Sequence, residues 1–203
     1  GGWNFTHSNW QIRNDDTSLT NIITPYIQGA KVFFTDRYQG EDGTVAINEI
    51  IEPEIITVSA SRDYTFTDGG GAINGYGKLI KEGSGTLTIA LDNGFSGGVE
   101  VTGGTLVARK DGALGTGGLK LGSSGTLRIE NGARSSLSAT NSVLEGQVTV
   151  GSASSLELEG TFKSVNITGT GTVHAIGDSL VGINAGKETS LKLHASGAQA
   201  ELR

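Results

Sequence analysis

One short pattern recurs along most of this chain, and it places the strongest limit on the fold. In each copy an apolar-x-apolar triplet is followed by a few small or polar residues and then by a second such triplet. The clearest copies are VEVTGGTLVA (99–108), LKLGSSGTLRI (119–129), VTVGSASSLELE (148–159) and VNITGTGTVHA (165–175). Alternation with a period of two is typical of half-buried strands, and glycine allows the tight turns between them.

The length of the repeat indicates the architecture. The second triplets begin at Leu87, Leu106, Leu127, Leu156, Val173 and Leu191, at intervals of 19, 21, 29, 17 and 18 residues. A period near 20 without helical periodicity predicts a stacked repeat, because the connections are too short for a crossover helix. We predict an all-β fold, a right-handed parallel β-helix (β-solenoid) with about 20 residues per coil and about ten coils. The long interval predicts one extra loop within residues 131–142.

The apolar residues of successive coils should stack into ladders inside the solenoid. We expect Val99/Val101, Leu119/Leu121, Val148/Val150 and Val165/Ile167 on one sheet, and Leu87/Ile89, Leu106/Ala108, Leu127/Ile129, Leu156/Leu158 and Val173/Ala175 on the next. The intervening Thr88, Arg128, Glu157 and His174 should point to solvent. Lys81 occupies an inward position, so we expect its stem to pack at a corner while its ammonium group reaches water.

Glycine and the aromatic residues divide the chain into two parts. Of twelve aromatic residues, nine precede residue 67, whereas 28 of the 33 glycines lie at or after Gly69. We therefore expect residues 1–68 to form irregular, aromatic-rich coils that cap the β-helix. Residues 69–203 should form its regular repeat array, within one continuous solenoid that is a piece of a longer chain.

Charge and composition exclude several classes of partner. Residues 1–68 carry a net charge of −6 and residues 69–203 a net charge of zero, and no basic stripe with interleaved aromatics occurs. Nucleic acid is therefore not expected as a partner. No apolar run approaches the roughly 18 residues needed to cross a bilayer. The absence of cysteine suits a cytosolic protein, and equally a secreted chain that crosses a membrane unfolded.

Residues 61–118 contain several short motifs that occur together in a known repeat. The run contains YTF (64–66), GKLIKEGSGTLTI (77–89), FSGGVEVTGGTL (95–106) and ALGTGG (113–118). It resembles the autotransporter-associated β-strand repeat of passenger domains secreted by Gram-negative bacteria. The likeness extends over about residues 1–130 and is closest to adhesins of the self-associating type. It implies display on the outer membrane or release from the cell, with a C-terminal translocator barrel as the only part that contacts the membrane.

Catalytic, cofactor and metal sites are not expected from the residues. His174 and His194 could stack two coils apart, but without a neighbouring carboxylate they fall short of a metal site, and His7 stands alone. A phosphate loop would need a helix after GGGAINGYG (69–77), where a strand follows instead. A glycan-cleaving β-helix would need clustered carboxylates. The acids of the array, Asp92, Asp111, Glu130, Glu145 and Asp178, are expected to stand singly.

Three functions remain open at the level of the sequence. The first is an adhesin that binds a host surface, a matrix protein or glycan, or a second passenger, through many weak contacts. The second is a passive stalk that presents an effector domain outside this sequence. The third, which the residues favour least, is a glycan-cleaving enzyme. All three share one structural prediction, a core ladder built from Leu87, Ile89, Val99, Val101, Leu106, Leu119, Leu121, Leu127, Ile129, Val148, Val150, Leu156, Leu158, Val165, Ile167 and Val173.

Overall fold

Alternating apolar and polar residues form strands along most of the chain. A computed structural model describes residues 2–6, 10–13, 19–37, 42–186, 189–196 and 199–202, and among these it contains no helix. The fold is an all-β parallel β-solenoid of about eight turns, with about 21 residues per turn. In chain order the strands are β1 Gly2–Trp3, β2 Trp10–Arg13, β3 Leu19–Thr24, β4 Lys31–Thr35, β5 Thr44–Ile47, β6 Ile50–Ile51, β7 Ile55–Ser59, β8 Tyr64–Asp68, β9 Ala72–Ile73, β10 Lys78–Glu82, β11 Thr86–Ala90, β12 Val99–Val101, β13 Gly104–Ala108, β14 Leu119–Leu121, β15 Gly125–Ile129, β16 Arg134–Ser138, β17 Val143–Leu144, β18 Gln147–Val150, β19 Ser155–Gly169, β20 Thr172–Ala185, β21 Lys192–Ser196 and β22 Gln199–Leu202.

Two parallel sheets run along the solenoid. The long sheet has the strand order β1-β5-β8-β11-β13-β15-β18-β19-β20-β21, with β16 also paired to β19 and β22 to β20. The short sheet has the order β17-β14-β12-β10-β7-β4. Two small pairs complete the fold, the parallel pair β6–β9 and the antiparallel pair β2–β3. Successive coils therefore add one strand after another to the same sheets.

The register of the long sheet stacks apolar residues directly on one another. Leu87 pairs with Leu106, Leu106 with Leu127, Leu127 with Val148, and Val148 with Ile167. Each of these side chains is fully buried. A one-residue slip would turn a whole strand inside out, so this continuous apolar column fixes the register from coil to coil.

All sixteen residues of the expected core ladder are buried, but the two sheets divide them differently from the expectation. On the short sheet, Val101 and Leu121 are followed by Leu144 of β17, not by Val150. Val148 and Val150 continue the long sheet instead, opposite Leu127 and Ile129. Leu156 and Leu158 of β19 belong to a separate column, which begins on β16 and continues on β20.

The cause of the difference is an extra strand within residues 131–142, where a loop was expected. After β15 the chain makes a turn in which the Ala133 amide donates to the Glu130 carbonyl at 3.1 Å, and it then continues as β16. Every residue of β16 is in register with residues 155–159 of β19. The extra strand shifts the later triplets by one strand position, so that triplets of similar sequence fall on different sheets.

The first turn of the solenoid is closed by aromatic side chains. Trp3 is fully buried, and its ring centroid lies 4.9 Å from that of Trp10, 5.3 Å from Tyr26 and 5.7 Å from Phe34. Gly2 of β1 pairs with Ala46 of β5, 44 positions further along the chain. This turn uses about twice the usual length, and the chain forms about eight turns where about ten were expected.

Regular parallel pairing crosses the expected boundary between residues 68 and 69. β8, which ends at Asp68, pairs with β5 on one side and with β11 on the other. The buried aromatic residues and the buried aliphatic residues form one continuous hydrophobic cluster. The division of the chain into residues 1–68 and 69–203 stays a prediction.

Candidate interaction surface

A column of polar side chains follows the outer face of the long sheet. Inward residues such as Leu87 and Leu106 alternate with it along each strand, so the column faces outward. Its members occupy in-register positions on six successive coils, and none is apolar: Thr86, Thr105, Thr126, Gln147, Asn166 and Asn184. Parallel strands lie about 4.8 Å apart, so hydroxyl and amide groups recur at that interval along the solenoid.

Hydrogen bonds between coils hold the later part of this column in place. The Asn184 Nδ2 group donates to Asn166 Oδ1 at 3.2 Å and to Ser164 Oγ at 2.7 Å. The Gln147 Nε2 group donates to Thr168 Oγ1 at 3.1 Å, and the hydroxyl groups of Thr149 and Thr168 are 3.3 Å apart. These contacts make the surface a fixed array of donors and acceptors.

A second outward column contains two positions that are shielded from solvent. It runs from Thr65 through Thr88, Val107 and Arg128 to Thr149. Thr88 is only 7% exposed and Val107 only 2%. Thr88 faces outward as expected, but the expectation that it is accessible to solvent is wrong. An outward side chain is shielded when long side chains surround it.

Three charged side chains beside Val107 form an ion-pair network. Glu130 Oε2 lies 3.3 Å from Arg109 Nη2, and Glu130 Oε1 is paired with Arg128. Arg128 is in register with Val107 on the next strand, and Arg109 follows two residues after Val107, just beyond the end of β13. Arg128 itself remains half-exposed, as expected from its outward position.

The outer face of the short sheet is of mixed character. Glu100 is paired with Lys78, and the hydrogen bond and charge of Lys78 lower the pKa of that carboxyl. Lys120 and Val143 follow in register, and together with Glu145 they line a shallow groove beside Glu100. At the other end of this face Phe33 is 47% exposed.

Exposed apolar residues and acids lie together near the first turns. Ile27, Ile50 and Tyr76 are 64%, 57% and 94% exposed. Hydrogen bonds from Gln28 to the Ile50 carbonyl and from the Glu52 amide to Gln28 bring the first two together. The Glu52 side chain extends towards Gly75, next to Tyr76. Next to Ile27, burial raises the pKa of Tyr26 to about 12, with a smaller contribution from the Glu52 charge.

Lys81 is buried, and the expectation that its ammonium group reaches water is wrong. The residue is 1% exposed, and Nζ donates to the carbonyl oxygens of Glu82 at 2.6 Å, Gly83 at 3.1 Å and Gly103 at 3.3 Å. These carbonyls replace water as acceptors, so the charge is hydrogen-bonded although it is buried. Burial lowers the pKa of Lys81, and the charge of Asp63 acts in the opposite direction. Gly103 belongs to the next coil, so Lys81 links two coils.

The corner around this lysine explains the glycine at position 104. Gly104 has φ +68°, and a Cβ atom there would lie 2.7 Å from Lys81 Nζ and 2.5 Å from the carbonyl oxygen of Gly83. Both the backbone conformation and the lack of space require glycine. The GGTL motif is therefore part of the lysine corner, a role that the sequence pattern alone did not indicate.

Several carboxylates serve as acceptors for backbone amides of the next coil. Asp36 accepts from the amides of Ser61 and Arg62, Asp63 from Thr86 at 2.7 Å, and Asp111 from Arg134 at 2.7 Å. The Ser61 amide is the main cause of the lowered pKa of Asp36. These acids lie 23 to 26 residues before their partners, about one coil, and no local motif in the sequence marks them.

The carboxylates of the described chain do not gather into a metal-binding cluster. In the part that the structure describes, no group of three or more His, Cys, Asp or Glu side chains is placed to hold a metal ion. Glu130 belongs to the arginine network and Asp111 to a backbone contact. His7 and the side chain of Asp178 lie outside the description. No helix that could span a membrane occurs among the described residues.

His174 and His194 are neighbours on adjacent strands, not two coils apart. They pair in register between β20 and β21, and their ring centroids are 5.1 Å apart. Glu157 of β19 is in register with His174 on its other side. This carboxylate was not expected beside His174, because the extra strand β16 changes which triplets stack.

Comparison with known proteins finds a family match in the central coils. Residues 79–108, from β10 to the end of β13, match the family model of the passenger-associated-transport-repeat. Over these 30 residues the chain is similar to this passenger repeat. The matched segment includes Lys81 together with Gly103 and Gly104, the two glycines of the next coil that lie against its Nζ.

A wider similarity extends beyond the passenger repeat. The chain is 28% identical over 177 residues to the adhesin BmaC autotransporter of Brucella suis biovar 1 (strain 1330). The aligned part covers 72% of this chain and 5% of that protein, so the chain spans only a small fraction of this relative. No solved structure matches the chain.

Proposed function

We propose that this chain is part of the passenger of a Gram-negative autotransporter, displayed on the cell surface or secreted, and that it mediates adhesion or cell–cell aggregation. The passenger repeat at residues 79–108 and the similarity to an adhesin autotransporter support this origin. The observation that carries the adhesive role is the polar column on six successive coils, from Thr86 to Asn184.

The column suits many weak contacts better than one deep site. Its hydroxyl and amide groups donate and accept hydrogen bonds, and cross-coil bonds such as that from Asn184 to Asn166 hold them in position. A partner that follows the solenoid would make similar contacts on each coil, and these add through avidity when many copies are displayed. Such a partner is a host surface or matrix protein, a glycan, or a second passenger.

The positions of the carboxylates support a non-enzymatic role over glycan cleavage. Hydrolysis of a glycoside uses two carboxyl groups on either side of the bond to be broken, about 5 to 9.5 Å apart across an open cleft. Here Asp36, Asp63 and Asp111 accept hydrogen bonds from backbone amides, and Glu130 is held between two arginines. These acids support the solenoid itself.

The test is to display the passenger on a non-adherent bacterium and to measure aggregation and binding to host matrix. In one variant Thr105, Gln147 and Asn166 are changed to arginine, which adds bulk and charge to the polar column. The matched control changes Glu82, Glu100 and Lys120 on the other sheet to alanine. We expect the column variant to lose aggregation or binding while the control retains it.

A replacement experiment separates an adhesin from a passive stalk. Residues 69–203 are exchanged for an unrelated β-solenoid of equal length, with display confirmed by surface labelling. Loss of binding supports the proposal. Binding that survives this exchange would show that the chain only presents another domain.

A further inference from the structure

The outer face of the last described coils carries a column of three potential ligand side chains. Glu157, His174 and His194 occupy in-register positions on β19, β20 and β21. Glu157 lies between the buried Leu156 and Leu158, and it therefore faces outward. His174 faces outward between the buried Val173 and Ala175, and the His194 ring stacks on it. His194 is exposed and His174 is partly exposed, so solvent and ions reach both rings.

We propose that His174 and His194 form a surface site for a divalent transition-metal ion such as Cu²⁺, Ni²⁺ or Zn²⁺. Neutral imidazole is a preferred ligand of these ions, with metal–nitrogen distances of about 2.0–2.1 Å. The ring centroids are 5.1 Å apart and the ring planes are inclined by 29°. The χ2 torsion of histidine is soft, so a rotation of the exposed His194 ring brings one nitrogen of each ring to the same ion.

Glu157 makes the surroundings of the pair favourable to a cation. It is one strand further along the column, about 4.8 Å from His174 along the solenoid. At this distance it contributes negative charge and an acceptor for metal-bound water, in the outer shell of the ion. Water fills the remaining coordination positions, so the site is open.

The site makes a sharp prediction about metal binding by the untagged 203-residue chain. At pH 7.5 we expect one Cu²⁺ ion per chain in a calorimetric titration, with two nitrogen ligands in the electron paramagnetic resonance spectrum. His174→Asn and His194→Asn should each weaken binding at least tenfold.

His7→Asn is the matched control, since it removes a histidine without touching the pair. It should bind Cu²⁺ as the unchanged chain does, and circular dichroism should show that all variants keep the solenoid. Undiminished binding by the His174 and His194 variants would overturn the proposal. So would a spectrum with a single nitrogen ligand, or no binding at millimolar Cu²⁺.

Discussion

At the scale of the residue, neighbouring positions on one strand have opposite environments. Leu127 is fully buried between Leu106 and Val148, whereas the next residue, Arg128, is half-exposed. Leu127→Asp should lower the free energy of unfolding by at least about 4 kcal/mol, because it places a carboxylate in the apolar column. Arg128→Asp loses an exposed ion pair and should cost no more than about 1 kcal/mol. Urea denaturation measures both, and equal losses would refute the inward and outward assignment.

The buried lysine gives a second test at the residue scale. Lys81→Met keeps the stem but removes the donor from three carbonyls, so it should cost about 1–3 kcal/mol at pH 7. The pKa of Lys81 in the folded chain is lowered from 10.5, its value in the unfolded chain. At a pH between the folded-state pKa and 10.5, the unfolded chain therefore keeps a proton that the folded chain has lost. The stability of the unchanged chain therefore gains from this group as pH rises towards 10.5. We expect its advantage over the Met variant to grow between pH 7 and 10.5, and an advantage that shrinks would contradict a lowered pKa.

At the scale of the element, β16 is a strand that the repeat pattern of the sequence does not reveal. Its inward residues are Ser135 and Leu137, which are 7% and 3% exposed. Leu137→Asp should cost at least about 3 kcal/mol, because Leu137 stacks on the buried Leu158. Ser136→Asp, on the outer face of the same strand, should change stability by no more than about 0.5 kcal/mol. If the two variants melt alike, residues 134–138 behave as the loop that the sequence suggested.

The same strand shows how far the sequence predicts this fold. Most strands repeat an apolar-x-apolar triplet, and the side chains predicted to be buried follow directly from it. β16 places a serine at an inward position, so it lacks the triplet, and periodicity cannot detect it. The pairing of later strands depends on this one element, and with it the neighbourhood of His174, His194 and Glu157. The hydrogen bonds that Asp63 and Asp111 accept from backbone amides could not be predicted either. An acid that accepts from an amide one coil away has no local signature in the sequence.

At the scale of the whole molecule, stability is distributed along the stack. Each coil contacts mainly the coils before and after it, as the strand pairing shows. In such an array a local defect loosens its neighbours first and the distant coils later. The Leu127→Asp variant should therefore lose amide-exchange protection in β13 and β18 before it loses protection in β8.

The direction of the hydrogen bonds between coils has a mechanical consequence. These hydrogen bonds run along the axis of the stack. When the two ends of the chain are pulled apart, the force therefore acts on the hydrogen bonds of the outermost coil, which break one after another. Each coil of about 21 residues that unfolds adds about 70 Å to the contour length of the unfolded chain, at about 3.5 Å per extended residue. An atomic force microscope should record a sawtooth with increments of this size at modest, nearly equal forces. A tether built in this way lengthens under shear and absorbs work before any bond to its partner must break.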